Sequence, residues 1–172
     1  MNESGLFIPE GFDPLVTIYK DDGHEVIKAI DLKTNQEVVL KINRPENKDI
    51  LKISKLSHEY NTLKKLDHDG VIKVFNLYSK LKSVCIVEEY FDGESLKSRL
   101  FKKPISLREF FHIALQLTDI LAYIHSHGII HKDINSNNIL VSEANKVKLI
   151  DFGISTNFMN EEQEILLPDS IE

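Results

Sequence analysis

Short apolar-rich runs, LVTIYK (15–20), EVIKAID (25–31) and EVVLKIN (37–43), are separated by the polar turn formers DDGH and LKTNQ. Turn residues at such spacing predict short strands in an antiparallel meander. After RPENK (44–48) the pattern turns helical: Leu56, Tyr60, Leu63 and Leu66 are spaced by four, three and three, which predicts a helix stopped at Asp67–Gly70. Two further strand candidates, VIKVFNLY (71–78) and SVCIVEEY (83–90), complete a predicted five-stranded sheet, and FDGE (91–94) reads as a linker.

The second half changes character. Leu107, Phe110, Phe111, Ala114, Leu117, Leu121 and Ile124 form a wide apolar stripe, opened by Ser106 with Glu109 three residues on and closed at Gly128. That is the pattern of a long amphipathic helix with a capping box at its start. The strand NILV, the turn SEAN and the strand KVKLID follow. The predicted class is α+β in two lobes, a sheet with one helix over about 12–90 and a mostly helical part over 91–172.

The length of 172 residues suits one domain or two small lobes sharing a cleft. No apolar run approaches the roughly 20 residues of a membrane helix, so no membrane partner is expected. The amino terminus lacks the basic-then-apolar order of a secretory signal, and Cys85 is the only cysteine. Both observations favour a cytoplasmic protein without disulfides. A net charge of −6 argues against a nucleic-acid partner, which requires a basic face.

Candidate chemistry lies in two stretches, HKDINSNNIL (131–140) and LIDFG (149–153). Two aspartates and an amide at fixed offsets can supply a proton acceptor and oxygen ligands for a metal ion. A lone DFG is as simply a turn after a strand. His125, His127 and His131 carry no cysteine or acid at zinc-ligand spacing, and a bracing role for His131 is preferred.

Taken in order, VVLK (38–41), Glu59, EEYFDGESL (88–96), HSHGIIHKDINSNNIL (125–140) and LIDFG (149–153) resemble a eukaryotic-like serine/threonine protein kinase domain. HKDIN and ESL are most similar to the amino-terminal kinase domains of bacterial multi-sensor hybrid histidine kinases. The resemblance implies a protein kinase-like fold that uses ATP and Mg2+ to phosphorylate a protein substrate or signalling partner. It implies that Lys41 contacts the α and β phosphates with Glu59 as its ion-pair partner, and that Asp133 is the catalytic-loop aspartate orienting the substrate hydroxyl. Asn138 and Asp151 are the implied metal ligands. Lys41, Val26, Ala29, Glu89, Phe91 and Leu140 are the implied nucleotide-binding positions.

Several positions depart from the pattern. The glycine-rich register falls on Tyr19 to His24 and retains one glycine, Gly23, out of place. Asn135 stands where a lysine usually steadies the γ phosphate, and Lys132 replaces an arginine. Glu88 falls at the gatekeeper position, or Val87 does if the register slips by one. The sequence ends after ISTNFMNEEQEILLPDSIE with no APE motif, so truncation after the DFG segment is expected, with part of the 107–124 stripe exposed and open to self-association or a covering partner. The rival readings are a catalytically inactive nucleotide-binding or interaction module and a small-molecule kinase of the aminoglycoside type.

Overall fold

The computed structural model describes residues 6–21, 23–43, 50–81 and 83–158. The linker RPENK, Asp22 of the glycine-loop register and the tail from Met159 lie outside the described residues. The first lobe is a five-stranded sheet, β1 (Phe12–Lys20), β2 (His24–Asp31), β3 (Gln36–Asn43), β4 (Val74–Lys80) and β5 (Ser83–Glu89), in the order β1-β2-β3-β5-β4. Every neighbouring pair is antiparallel, as the meander pattern predicts. Helix α1 (Ile50–Leu63) packs on one face of it.

The period of two decides which residues meet α1 and which do not. Val26, Lys41 and Ile86 share one face through the pairings Val26↔Lys41 and Lys41↔Ile86. Ile27, Ala29, Val38, Leu40, Ile42, Cys85 and Val87 form a buried cluster on the other, against the half-buried Leu6, Phe7 and Ile8.

The second lobe contains β6 (Glu94–Ser95), α2 (Leu96–Lys102), α3 (Leu107–Ser126), β7 (Ile129–Ile130), β8 (Ile139–Val141), β9 (Val147–Leu149) and β10 (Thr156–Asn157). The sequence pattern did not predict α2, whose start is set by Ser95 accepting from the Ser98 amide. Two predicted boundaries shift. Helix α1 stops at Leu63, so Leu66 packs from the turn beyond it. Strand β4 begins at Val74, and Val71 instead makes a single bridge to Leu149. At α3 only half of the capping box forms: Ser106 Oγ accepts from the Glu109 amide at 3.2 Å, while the Glu109 carboxylate turns to Arg99 at 2.7 Å.

The main core of this lobe joins Ile113, Ile120 and Ile124 of α3 to Ile139, Val141, Val147, Leu149 and Phe152. Its centre lies one helical step from the predicted stripe, so Leu107, Phe110, Phe111 and Leu115 stand exposed on the opposite flank. Helix α3 stops where the sequence indicates, with Gly128 at φ 74° in the left-handed region that favours glycine. A second glycine, Gly70, lets the β9 side approach α3 closely: a Cβ there would lie 2.3 Å from Ile120 Cγ1. Among the described residues no helix is long and apolar enough to cross a membrane.

Candidate active site

Lys41 and Glu59 come from a strand and a helix that must pack before they can meet. Lys41 Nζ donates to Glu59 Oε1 at 2.9 Å and Oε2 at 2.7 Å, and both groups are buried. Burying an ammonium is costly, and here the cost is offset by a bidentate carboxylate and by Asp151 Oδ1 at 3.4 Å. Burial alone would depress the Lys41 ammonium, but the charges of Glu59 and Asp151 hold it well above the ordinary lysine range. Burial pushes the Glu59 carboxyl up, against the pull of Lys41. Glu59 Oε1 also accepts from the Phe152 amide at 3.2 Å, which ties α1 to the segment after β9.

The loop between β7 and β8 shapes the other wall. His131 is buried edge-on against Phe152, with ring centroids 4.6 Å apart. Its Nε2 donates to the Ile150 carbonyl at 3.1 Å, and its Nδ1 accepts from the Asp133 amide at 3.2 Å. Burial lowers its pKa, so it braces the loop as a neutral ring. No group of three or more His, Cys, Asp or Glu residues suited to a metal ion occurs among the described residues, and His125 and His127 are exposed at the end of α3.

Both carboxylate oxygens of Asp133 are held. Asn135 Nδ2 donates to Oδ1 and Asn138 Nδ2 donates to Oδ2, each at 2.9 Å. Asn138 also donates to the Asp133 carbonyl and is itself tied to Ile150 through its own carbonyl, so the loop and β9 form one network. The amide oxygen of Asn138 is left to serve as a ligand. Lys132 and Asp151 take φ values of 66° and 65°, in the left-handed region that non-glycine residues rarely occupy.

A cavity of about 510 Å³ separates the two walls. It is lined by Asp21, Gly23 and His24 of the β1–β2 turn, by Lys41 and Glu59, by Lys55 and Leu56 of α1, and by Asp133, Asp151, Gly153 and Ile154. Asp151 is kept below the ordinary aspartate range: burial would raise it, but Lys41 and the Gly153 amide outweigh that. Asp151 faces the cavity and Asn138 stands behind Asp133, and their oxygens are donors of the kind a hard cation takes, supplying only part of a coordination sphere. That suits an ion whose remaining ligands are phosphate oxygens and water.

The expected base-binding positions divide. Val26 lies opposite Lys41 on the cleft face, half-buried. Phe91 and Leu140 are half-buried beside Lys148, whose Nζ lies 5.9 Å from the Phe91 ring centroid and whose strand pairs with Leu140. Ala29 requires correction: it is fully buried in the cluster on the far face, because it stands three residues from Val26 in a strand of period two. Val39, two residues before Lys41 on β3, occupies the cleft face instead and was not singled out by the sequence reading. The Glu89 side chain is also placed away from Lys41. It accepts from Lys148 Nζ at 2.5 Å and from the Lys73 amide at 2.7 Å, leaving only the backbone near 89–91 to meet a base. None of Val26, Ala29, Glu89, Phe91 and Leu140 lines the 510 Å³ cavity, which is the polar end of the cleft.

The register resolves the alternative at 87 and 88. Glu88 pairs with Val39 and so shares the Lys41 face, whereas Val87 belongs to the far cluster. In the β1–β2 turn, Asp21 Oδ1 accepts the amides of Gly23 at 2.6 Å and His24 at 2.8 Å. The sequence showed the missing glycines, but not that a carboxylate would take the amides they normally leave open. Asn135, a departure in the sequence, proves to be a holder of Asp133. Lys55 had no sequence signal, since a lysine on an amphipathic helix is most simply a solvated charge.

A family model described as the protein kinase domain matches residues 22–170 of the chain. Calcium-dependent protein kinase 5 of Plasmodium berghei (strain Anka) is 34% identical over 139 residues, covering 78% of this chain and 24% of that protein. Serine/threonine-protein kinase TIO of Arabidopsis thaliana is 33% identical over 122 residues, covering 71% and 9%. Cell division control protein 7 of Schizosaccharomyces pombe is 31% identical over 134 residues, covering 76% and 12%. The chain thus spans about a quarter or less of the length of these relatives.

Proposed function

Because the chain belongs to the protein kinase domain family, of the eukaryotic-like serine/threonine type, we propose that it binds ATP with Mg2+ and transfers the γ phosphoryl group to a serine or threonine hydroxyl of a protein substrate. The observation that carries this reading is the meeting of Lys41, Glu59, Asp133 and Asp151 around one cavity, with Asn138 bonded to Asp133 behind it. Lys41 is a fixed cation for the phosphates, since Glu59 and Asp151 restrain its ammonium from two sides. Asp133 orients the incoming hydroxyl and takes its proton, and the two amides on its oxygens aim the carboxylate without neutralising it. Asp151 and the Asn138 amide oxygen would hold magnesium, which when bound neutralises phosphate charge. The single described cysteine, Cys85, is buried, which accords with a cytoplasmic setting.

A second reading, an inactive nucleotide-binding module in signalling, draws on one specific observation: Asp21 occupies the turn amides that a phosphate would otherwise approach. Transfer of labelled γ phosphate to generic serine/threonine substrates and to the chain itself separates the two. The wild type is expected to transfer, and Asp133→Asn to lose about two to four powers of ten in rate while ATP affinity holds. No transfer by the wild type, with ATP still bound, would leave the module reading standing.

A further inference from the structure

Glu88 has no part in the chemistry described so far, and its burial is unusual for an acid. It is 8% exposed, and its Oε1 is enclosed with no hydrogen-bond partner. A buried carboxyl with one oxygen left without a partner is costly, and an apolar side chain would fill the same space at less cost. Its position offers a reason. Glu88 pairs with Val39 and Lys41 pairs with Ile86, so Glu88 and Lys41 are diagonal neighbours on one face of adjacent strands, within reach of long side chains.

The ammonium of Lys41 has three protons, and three oxygens stand around it: Glu59 Oε1, Glu59 Oε2 and Asp151 Oδ1. No proton of Lys41 remains for Glu88. Glu59, however, is carried by α1, which packs on β3, β4 and β5 without pairing with them, whereas Glu88 and Lys41 lie on the directly paired strands β5 and β3. We propose that Glu88 is a positioning residue for Lys41, a second carboxylate that takes over the lysine when Glu59 is withdrawn and so gives the cleft two paired arrangements. In the exchange the Lys41–Glu59 contacts break, Glu88 loses its proton to solvent and accepts the two freed N–H donors of Lys41, and Glu59 keeps its charge in water. The total charge of the chain falls by one.

Proton release gives the exchange a pH dependence. The charged groups whose fields reach Glu88 are Glu59 on α1, Lys41 on β3, Asp151 after β9 and, from the other face of β5, Glu89. Burial first, and then the negative charge of Glu59, push the Glu88 carboxyl up to about 8. The acid is therefore neutral at pH 7 while Glu59 holds Lys41, and the exchanged arrangement gains as pH rises.

The functional consequence rests on the kinase reading, but the test uses no nucleotide and so can fail or succeed independently of it. Unfolding of the full chain by urea is measured for wild type, Glu59→Gln, Glu88→Gln and the double variant at pH 7 and pH 9. Glu59→Gln is expected to remain folded because Glu88 serves Lys41, and the double variant to lose about tenfold or more in the folding equilibrium beyond the sum of the singles. The deficit of Glu59→Gln relative to wild type should shrink from pH 7 to pH 9, and should not shrink where Glu88→Gln is also present. Additive effects within about threefold, with no difference between the two pH values, would overturn the proposal. So would failure of Glu59→Gln to fold at pH 9, where the substitute partner is charged.

Discussion

Replacing Asp21 by alanine is expected to strengthen ATP binding, an unusual direction for a substitution inside a binding site. Asp21 Oδ1 holds the amides of Gly23 and His24 at 2.6 and 2.8 Å, and its carboxylate lines the same cavity as Lys41 and Asp151. Backbone hydrogen bonds to those amides lower the Asp21 pKa, so the charge is present at neutral pH although burial works against it. The side chain is 38% exposed, so its repulsion of a phosphate lies near the aqueous limit. That is about 1 kcal/mol per unit charge at close range, or roughly 1–2 kcal/mol against a multiply charged triphosphate. Two amides are also released to face the phosphates, while the turn loses its internal cap. The net expectation is affinity tighter by about fivefold to thirtyfold, with Asp21→Asn showing most of the gain because it removes the charge. Isothermal titration of wild type and both variants with ATP and magnesium at constant ionic strength measures it. Unchanged or weaker binding by Asp21→Ala would refute the idea that this carboxylate competes with phosphate.

Gly70→Ala should destabilise the chain by about 1–3 kcal/mol, because its Cβ would overlap Ile120; thermal unfolding should shift down by about 2–4 °C per kcal/mol, and an unshifted midpoint would contradict the packing described. Lys148→Met should loosen the end of β5 from β9 by removing the partner of Glu89, seen as faster hydrogen exchange at the Ile72 and Glu89 amides, whose acceptors are Leu149 and Lys73. Cys85 should resist maleimide in the folded chain and react in urea, because burial pushes its thiol up to about 12; rapid modification of the native protein would show the far-face cluster to be open.

How much of this was legible in the sequence depends on whether local periodicity or long-range pairing sets a feature. The five strands and the two longer helices follow from spacing, and Lys41, Glu59, Asp133, Asn138 and Asp151 stand in motifs whose order is itself informative. Ala29 was misassigned because a one-residue change of parity moves a side chain through the sheet, and sequence resemblance does not fix parity as the Val26↔Lys41 pairing does. The choice between Val87 and Glu88 had the same origin. Helix α2 was missed since LKSRLFK is a short segment with little periodic signal, stabilised by the Ser95 cap and by Arg99 reaching Glu109, Ser142 and Asn145. The Asp21 contact depends on backbone conformation in the turn, which residue identity does not specify.

The central claim, that Lys41, Asp151 and Asn138 form a magnesium-dependent nucleotide site, is tested most directly by titrating ATP into the chain with magnesium and with EDTA, for wild type and Asp151→Asn. The account predicts that magnesium tightens wild-type binding by about tenfold or more, roughly 1.4 kcal/mol, and that the gain shrinks to within about twofold in Asp151→Asn. Equal wild-type affinity with and without magnesium, or no ATP binding at all, would contradict it.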